Sequence, residues 1–344
     1  MNFDIIGFGA LNVDRLCHVD DFAPVDGETF INYETKVCGG SAANTIVSIA
    51  KLGLKCGHIG KVGSDSYADM MCEYLKENNV DTNHTILTPN GETGEVMGFV
   101  DANGDRKLYV TPKVNDDITY DEIKPEYLDT KIIHLTSFVG LNNSASIDTQ
   151  LEVLKNLDSD VKVSFDPGML YIQRGSEFIN KFLKYTDILL INETELKMLT
   201  QKDTLDSAVD AISSEVEILV VKRSTDGSFI KKGDEEYNIG IFNVDAIDTT
   251  GAGDAYNAGF LYVLLSGYNL HDSGIIGSYI AAKSTTKSGA TSAIEYIDPV
   301  TGKSYTGFLN STFDVNALRQ IAQVGGGRFF EIQAISDFSL ALSV

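Results

Sequence analysis

"DTTGAGDAYNAGF", residues 248–260, is the stretch on which the reading of this chain turns. Gly251 and Gly253 flank Ala252 just ahead of an apolar run with helical spacing, so unpaired backbone N–H groups converge where the helix begins. A helix entry of this kind cradles anions, and a lysine-bearing phosphate loop would read GxxxxGK[ST]. No lysine stands here; Asp254 occupies the first turn instead. The helix field is expected to keep that carboxylate ionised, ready to take a proton from a hydroxyl lying against the cradle. An alcohol that loses its proton to Asp254 while attacking a phosphoryl group held by the amides makes a complete phosphoryl transfer. The plainer alternative is a helix capped by Thr250 with an aspartate paired to the helix dipole.

Upstream, short β-branched runs alternate with amphipathic stretches. Strands are predicted at 3–9, 56–63, 131–138, 161–168, 187–192 and 217–223, and helices near 41–53, 65–78, 145–157, 175–184, 193–199 and 204–214. Continuous apolar strands separated by helices predict an α/β fold of three layers, with a central, mostly parallel sheet covered on both faces. Two segments, 12–36 and 92–112, break the rhythm with short alternating strands; "ANGD" (102–105) is a hairpin signal. Paired with each other they would form a small β lid at one edge. Two helices are predicted between 251 and 289. Residues 1–294 therefore read as one domain, and 295–344, which drop the alternation, as a C-terminal appendage of open role.

The 344 residues carry a formal net charge of −22, which argues against nucleic acid or an anionic membrane as partner. The apolar runs fall short of the roughly 20 residues needed to cross a bilayer, and the first residues enter a strand directly, so a cytoplasmic protein is expected. Cys17, Cys38, Cys56 and Cys72 show no metal-ligand spacing and read as structural thiols in a reducing compartment.

Gly7 and Gly9 follow the first strand, but Asn12 stands where a dinucleotide fingerprint needs its third glycine, so an NAD-binding reading is weak. Asn12 and Asp14 sit where the chain leaves the core for the lid and suit hydroxyl recognition, with an Asx turn as the alternative. "CGGSAANTIVSIAKLG" (38–53) places Gly39 and Gly40 before a helix that begins with small residues and Asn44. It could bind a polar ligand or simply be a close-packed helix entry.

Together these stretches resemble the ribokinase-like (PfkB) family of carbohydrate and nucleoside kinases. "DTTGAGDAYNAGF" is similar to its C-terminal signature, "GGSAANTIVSIAKLG" to its N-terminal one, and "NETE" (192–195) to its NxxE motif, in family order across about residues 3–292. The resemblance implies a ribokinase-like fold and transfer of the γ-phosphate of ATP, with Mg²⁺, to a hydroxymethyl group of a sugar or nucleoside. It makes Asp254 the base and Gly251, Ala252 and Gly253 the anion hole. Asn12, Asp14, Gly39, Gly40 and Asn44 become the acceptor set. Asn192 and Glu195 become organisers of Mg²⁺ through water and of the phosphates, and Asp248 lies near the K⁺ site of many members.

Departures from the family pattern sit after the strand ending at Val221. "KRSTDG" puts Lys222 and Arg223 where small residues are usual, while Gly227 keeps the later glycine. Lys222 is expected either to reach a nucleotide phosphate or to be a solvated loop lysine. Ser41, where ribokinases proper have the lysine of GGKGAN, leans towards nucleosides. Phe138 could stack on a base or belong to the core. The acceptor thus stays open between sugar and nucleoside, and a homodimer through the exposed lid edge is an expectation. The alternative function is a catalytically weak sugar- or nucleoside-binding sensor that interacts through its tail.

Overall fold

Strands that are apolar at every position divide their side chains between two helical layers, and this builds the core. In "ILLIN", Leu189 and Ile191 join the cluster on one face of the sheet, Ile188 and Leu190 that on the other. The structure, a computed structural model, describes residues 2–140 and 144–294, so the appendage predicted at 295–344 lies outside the described residues.

In chain order the strands are β1 (Phe3–Phe8), β2 (Asn12–His18), β3 (Tyr33–Gly39), β4 (Cys56–Ile59), β5 (Lys61–Val62), β6 (Val80–Asp81), β7 (Ile86–Leu87), β8 (Gly94–Val100), β9 (Arg106–Thr111), β10 (Thr130–Thr136), β11 (Lys162–Asp166), β12 (Ile188–Asn192), β13 (Ile218–Lys222), β14 (Ser228–Lys232) and β15 (Glu235–Ile239). The helices are α1 (Ser41–Lys51), α2 (Ser66–Glu77), α3 (Ala145–Asn156), α4 (Gly168–Ile172), α5 (Ser176–Leu183), α6 (Glu193–Thr200), α7 (Leu205–Ile212), α8 (Ala252–Leu265) and α9 (Leu270–Ser284). The main sheet runs β15-β14-β13-β12-β11-β10-β1-β4-β6. It is parallel from β13 to β6, with β14 and β15 as an antiparallel hairpin at one edge that the βα rhythm did not predict. Side chains of α1, α2, α8 and α9 pack on one face and those of α3 to α7 on the other.

The lid is a second sheet, β3-β2-β8-β9, in which β2 and β8 pair in parallel and join the two predicted β segments. From β1 the chain goes one way to β4 and β6 and the other way to β10 and beyond. The crevice at the carboxyl ends of β1 and β10 is therefore the topological switch point, where open α/β sheets place ligands. Among the described residues no helix is long and apolar enough to cross a membrane. Cys17 and Cys56 are buried, Cys38 and Cys72 partly so, and all four are free thiols.

Gly7 of β1 lies between His58 of β4 and His134 of β10, both fully buried. Burial, reinforced by His134, pushes His58 down to about 3, and burial likewise pushes His134 down to about 4. A histidine whose folded pKa is depressed adds stability above its unfolded value, near 6.5. That stability is lost as pH falls towards the folded value. The raised carboxyls described below act in the opposite sense, so the histidine share is read by difference. Between pH 6.5 and 4, the stability of His58→Leu measured by urea unfolding should fall less steeply than that of the wild type, by about 1.4 kcal/mol per pH unit. Parallel slopes for the two proteins would contradict this.

Candidate active site

α8 begins at Ala252, with Gly251 as its N-cap at φ 72°, and no side chain among the described residues caps it. The cap is forced to be glycine: a Cβ there would lie 2.3 Å from the Ala290 Cβ. Thr250, the sequence candidate for the cap, turns away. Its backbone N–H and its Oγ1 donate to Asp248 Oδ1 at 2.9 and 2.5 Å. The Ala252 N–H donates to the Thr249 carbonyl at 3.2 Å, which leaves the Gly251 and Gly253 amides as the donors suited to an anion.

Asp254, in the first turn, is held from α1. Ser41 Oγ donates to its Oδ1 at 2.5 Å and Asn44 Nδ2 to its Oδ2 at 2.9 Å, while Thr45 Oγ1 donates to its backbone carbonyl at 3.3 Å. The helix field considered in the sequence reading is not the main influence on this carboxyl. Burial is the largest influence and raises it to about 6, against the downward pull of the Ser41 and Asn44 hydrogen bonds. A carboxylate near that value is still mostly ionised at pH 7 and is a better proton acceptor than an unperturbed one. Ser41 spends its hydroxyl on Asp254 and so helps to hold that carboxylate.

Asp14, predicted from sequence for the acceptor set, lies on β2. Burial, with Asp254 nearby, raises its carboxyl to about 7. It lies against Gly39, where a Cβ would meet Asp14 Oδ2 at 2.7 Å, and Gly40 turns the chain into α1 at φ 113°, within 2.1 Å of the Ala10 carbonyl if it carried a Cβ. Asn12 is fixed by a residue that sequence reading missed. Asn115 Nδ2 donates to Asn12 Oδ1 at 2.8 Å and to the Leu11 carbonyl at 2.9 Å, and its Oδ1 accepts from the Leu11 N–H at 2.9 Å. The structure thus brings Asn12, Asp14, Gly39, Gly40, Asn44 and Asp254 around one crevice. Phe138 is not among them: it is fully buried edge-on against Phe8, centroids 5.9 Å apart, so the base-stacking expectation does not hold.

Lys222 ends β13 and points inward, so the solvated-loop reading also fails. Its Nζ donates to Asp166 Oδ2 at 2.6 Å and Asn257 Oδ1 at 3.2 Å, and lies 3.6 Å from where a Cβ on Gly253 would be. Burial opposes its charge, but Asp166, Glu195 and Asp254 together outweigh burial and raise its pKa. Asn257 Nδ2 also donates to Asp166 Oδ2, at 2.6 Å. Arg223, by contrast, turns to Glu193 at 3.2 Å.

Asn192 and Glu195 form a reciprocal capping box. The Glu195 N–H donates to Asn192 Oδ1 at 2.9 Å and the Asn192 N–H to Glu195 Oε2 at 3.1 Å. Burial, with Asp166 nearby, lifts Glu195 to about 7. Beside this cluster opens a cleft of about 290 Å³ whose polar end is Lys222, Gly227 and Gly253 and whose walls include Ile241, Val244 and Ala281.

Residues 3–296 match the sequence profile described as pfkB family carbohydrate kinase. An uncharacterized sugar kinase of Archaeoglobus fulgidus is 40% identical over 245 residues, 71% of this chain and 96% of that protein. A nucleoside kinase of Methanocaldococcus jannaschii is 28% identical over 275 residues, 80% of this chain and 87% of that protein. The crystal structure of the M. jannaschii nucleoside kinase, described there as an archaeal member of the ribokinase family, superposes with a TM-score of 0.74 at 26% identity, over 85% of this chain and 95% of that one. Ribokinase from Thermotoga maritima also gives 0.74 at 26%, over 85% and 96%. With the signatures gathered around one crevice of a shared fold, the chain belongs to the pfkB family of carbohydrate kinases, has the ribokinase-like fold, and is a phosphotransferase with an alcohol group as acceptor.

Proposed function

We propose that the chain transfers the γ-phosphoryl group of ATP to a hydroxymethyl group of a sugar or nucleoside, with Asp254 as general base. The observation that carries this reading is the position of the Asp254 carboxylate. It is oriented by Ser41 and Asn44, stands within the first turn of α8 beside the Gly251 and Gly253 amides, and has Lys222 close to Gly253. The acceptor lies across Asn12, Asp14, Gly39, Gly40 and Asn44, with the lid closing over it to exclude water. Its hydroxyl gives its proton to Asp254 as it attacks, while the amides and the Lys222 ammonium stabilise the charge spreading over the phosphoryl oxygens. The nucleotide occupies the cleft with its phosphates at Lys222 and Gly227 and its base between Ile241, Val244 and Ala281.

The donor set suits Mg²⁺ brought in with the nucleotide. Asp166, Glu195 and Asp254 all act electrostatically on Lys222, so acidic groups outnumber the ammonium at this end of the cleft. Among the described residues no three His, Cys, Asp or Glu side chains converge closely enough to hold a metal unaided. Phosphate oxygens and water would supply most ligands, with Asn192 and Glu195 ordering them, as is usual for Mg²⁺. Bound there, the ion would neutralise the phosphate oxygens.

The lid presents exposed Phe30, Ile31, Tyr33, Leu108 and Tyr109, which supports its being a homodimer surface. A non-catalytic sensor has less support, since the base, cradle and lysine are all in place. The test is ADP formation with Mg²⁺ over ribose, fructose, ketodeoxygluconate, adenosine, cytidine and inosine, with and without K⁺. At least one acceptor should raise ADP formation well above the acceptor-free rate. No stimulation by any of them would count against the reading.

A further inference from the structure

The family resemblance places a K⁺ site near Asp248, yet the residues around this carboxylate do not fit one. Both oxygens are already taken by donors. Oδ1 accepts from the Thr250 N–H and Oγ1, and Oδ2 accepts from the Gly289 N–H at 3.0 Å and Ser288 Oγ at 3.3 Å. Three neighbouring carbonyls are engaged as well. Thr285 O accepts from the N–H groups of Ile247 and Asp248, Thr249 O from that of Ala252, and Gly289 O from that of Ser292.

A cation is nevertheless present. Arg106, the first residue of lid strand β9, reaches across 144 positions of sequence to donate through Nη1 to Thr250 Oγ1, and the same nitrogen lies 3.8 Å from Asp248 Oδ1. Thr250 is the residue immediately before the Gly251 N-cap, so this contact bears on the backbone that sets the first amides of α8. Arg106 belongs to the lid, so the contact ties the lid to the entry of α8.

We propose that Arg106 is a positioning residue that supplies, from the lid, the positive charge beside Asp248 that other family members take from a monovalent cation. The inference rests on the reading of 251–253 as the anion hole. The contact of Arg106 with Thr250 and Asp248 then fixes the cradle from the lid. Turnover gains a dependence on the lid and loses one on alkali cations.

The test compares wild type with Arg106→Gln in tetramethylammonium, sodium and potassium chloride at constant ionic strength, reading both initial rate and Tm. Wild-type rates should agree within about twofold across the three salts, and Arg106→Gln should be at least about tenfold slower in tetramethylammonium. Part of that loss should return on adding K⁺ or guanidinium, a recovery that a merely misfolded variant would not show. The wild-type Tm should show no K⁺-specific rise, whereas that of Arg106→Gln should. Activation of the wild type by about tenfold or more in K⁺ would overturn the inference, as would full turnover of Arg106→Gln in tetramethylammonium. The melting experiment needs no acceptor. A K⁺-specific rise in wild-type Tm therefore sinks this inference alone, while absence of turnover with every acceptor sinks the kinase reading.

Discussion

Asp254→Asn is expected to lower kcat by about two to four decades while leaving the affinity for Mg·ATP within about threefold of wild type. Asparagine keeps the volume and can still hydrogen-bond with Ser41 and Asn44, so the first turn of α8 and the open amides should survive the change. What disappears is the carboxylate proposed to take the acceptor proton. The pH profile offers a second reading of the same group. Because the base works deprotonated and burial raises it to about 6, wild-type kcat should climb as pH rises from 5 to 7 and then level. Asp14, raised to about 7 and electrostatically linked to Asp254, will share in the apparent pKa of kcat/KM. Residual Asp254→Asn activity should lose this climb. A variant retaining more than about a tenth of wild-type kcat would remove Asp254 from the role of base.

Lys222→Met should cost about two to three decades in kcat, comparable with loss of an oxyanion-hole donor. Methionine fills similar space without the charge, but it leaves Asp166 buried with Asn257 as its remaining side-chain partner. Stability is therefore expected to fall as well, by about 3–5 kcal/mol, the usual result of breaking a buried ion pair from one side. The two effects separate in the double variant Lys222→Met/Asp166→Asn, which removes the stranded charge. Its Tm should recover most of the loss and its kcat should not. Recovery of both would mean that Lys222 serves the fold and not the transferred phosphate. Substitution by arginine is a poor rescue, because the space bounded by Asp166, Asn257 and Gly253 is shaped for a compact ammonium.

The sequence made some layers of this protein plain and hid others for physical reasons. The parallel strands were readable because burial on both faces leaves them no polar positions, as "ILLIN" shows. The lid was readable because its alternation breaks that rule. The hairpin β14–β15 was missed because it follows β13 without a helix and departs from the βα rhythm. At the site, the glycines of "DTTGAGD" announced an open helix entry, and the structure strengthens that point by turning Thr250 onto Asp248. The groups that hold the chemistry in place were hidden by distance along the chain. Ser41 meets Asp254 across 213 positions, Asp166 meets Asn257 across 91, and Asn115 meets Leu11 across 104. No local pattern encodes such partners. A lysine does approach Gly253, but it comes from the end of β13, which is why a motif search within the loop could not find it. "NETE" carried a second meaning that spacing alone does reveal, since Asn followed by Glu three residues later is a capping box. The helix-field argument for Asp254 considered one influence and omitted burial, which proved larger.

The most direct test of the central claim is the proton-coupled ³¹P NMR spectrum of a reaction containing the enzyme, Mg²⁺, ATP and an acceptor that stimulates ADP formation. The γ-phosphate resonance should disappear as a phosphomonoester signal grows, split by the two protons of a CH₂–O carbon, and the Asp254→Asn enzyme should leave the ATP signals unchanged over the same period. Release of inorganic phosphate alone, or equal phosphomonoester formation by Asp254→Asn, would contradict the account.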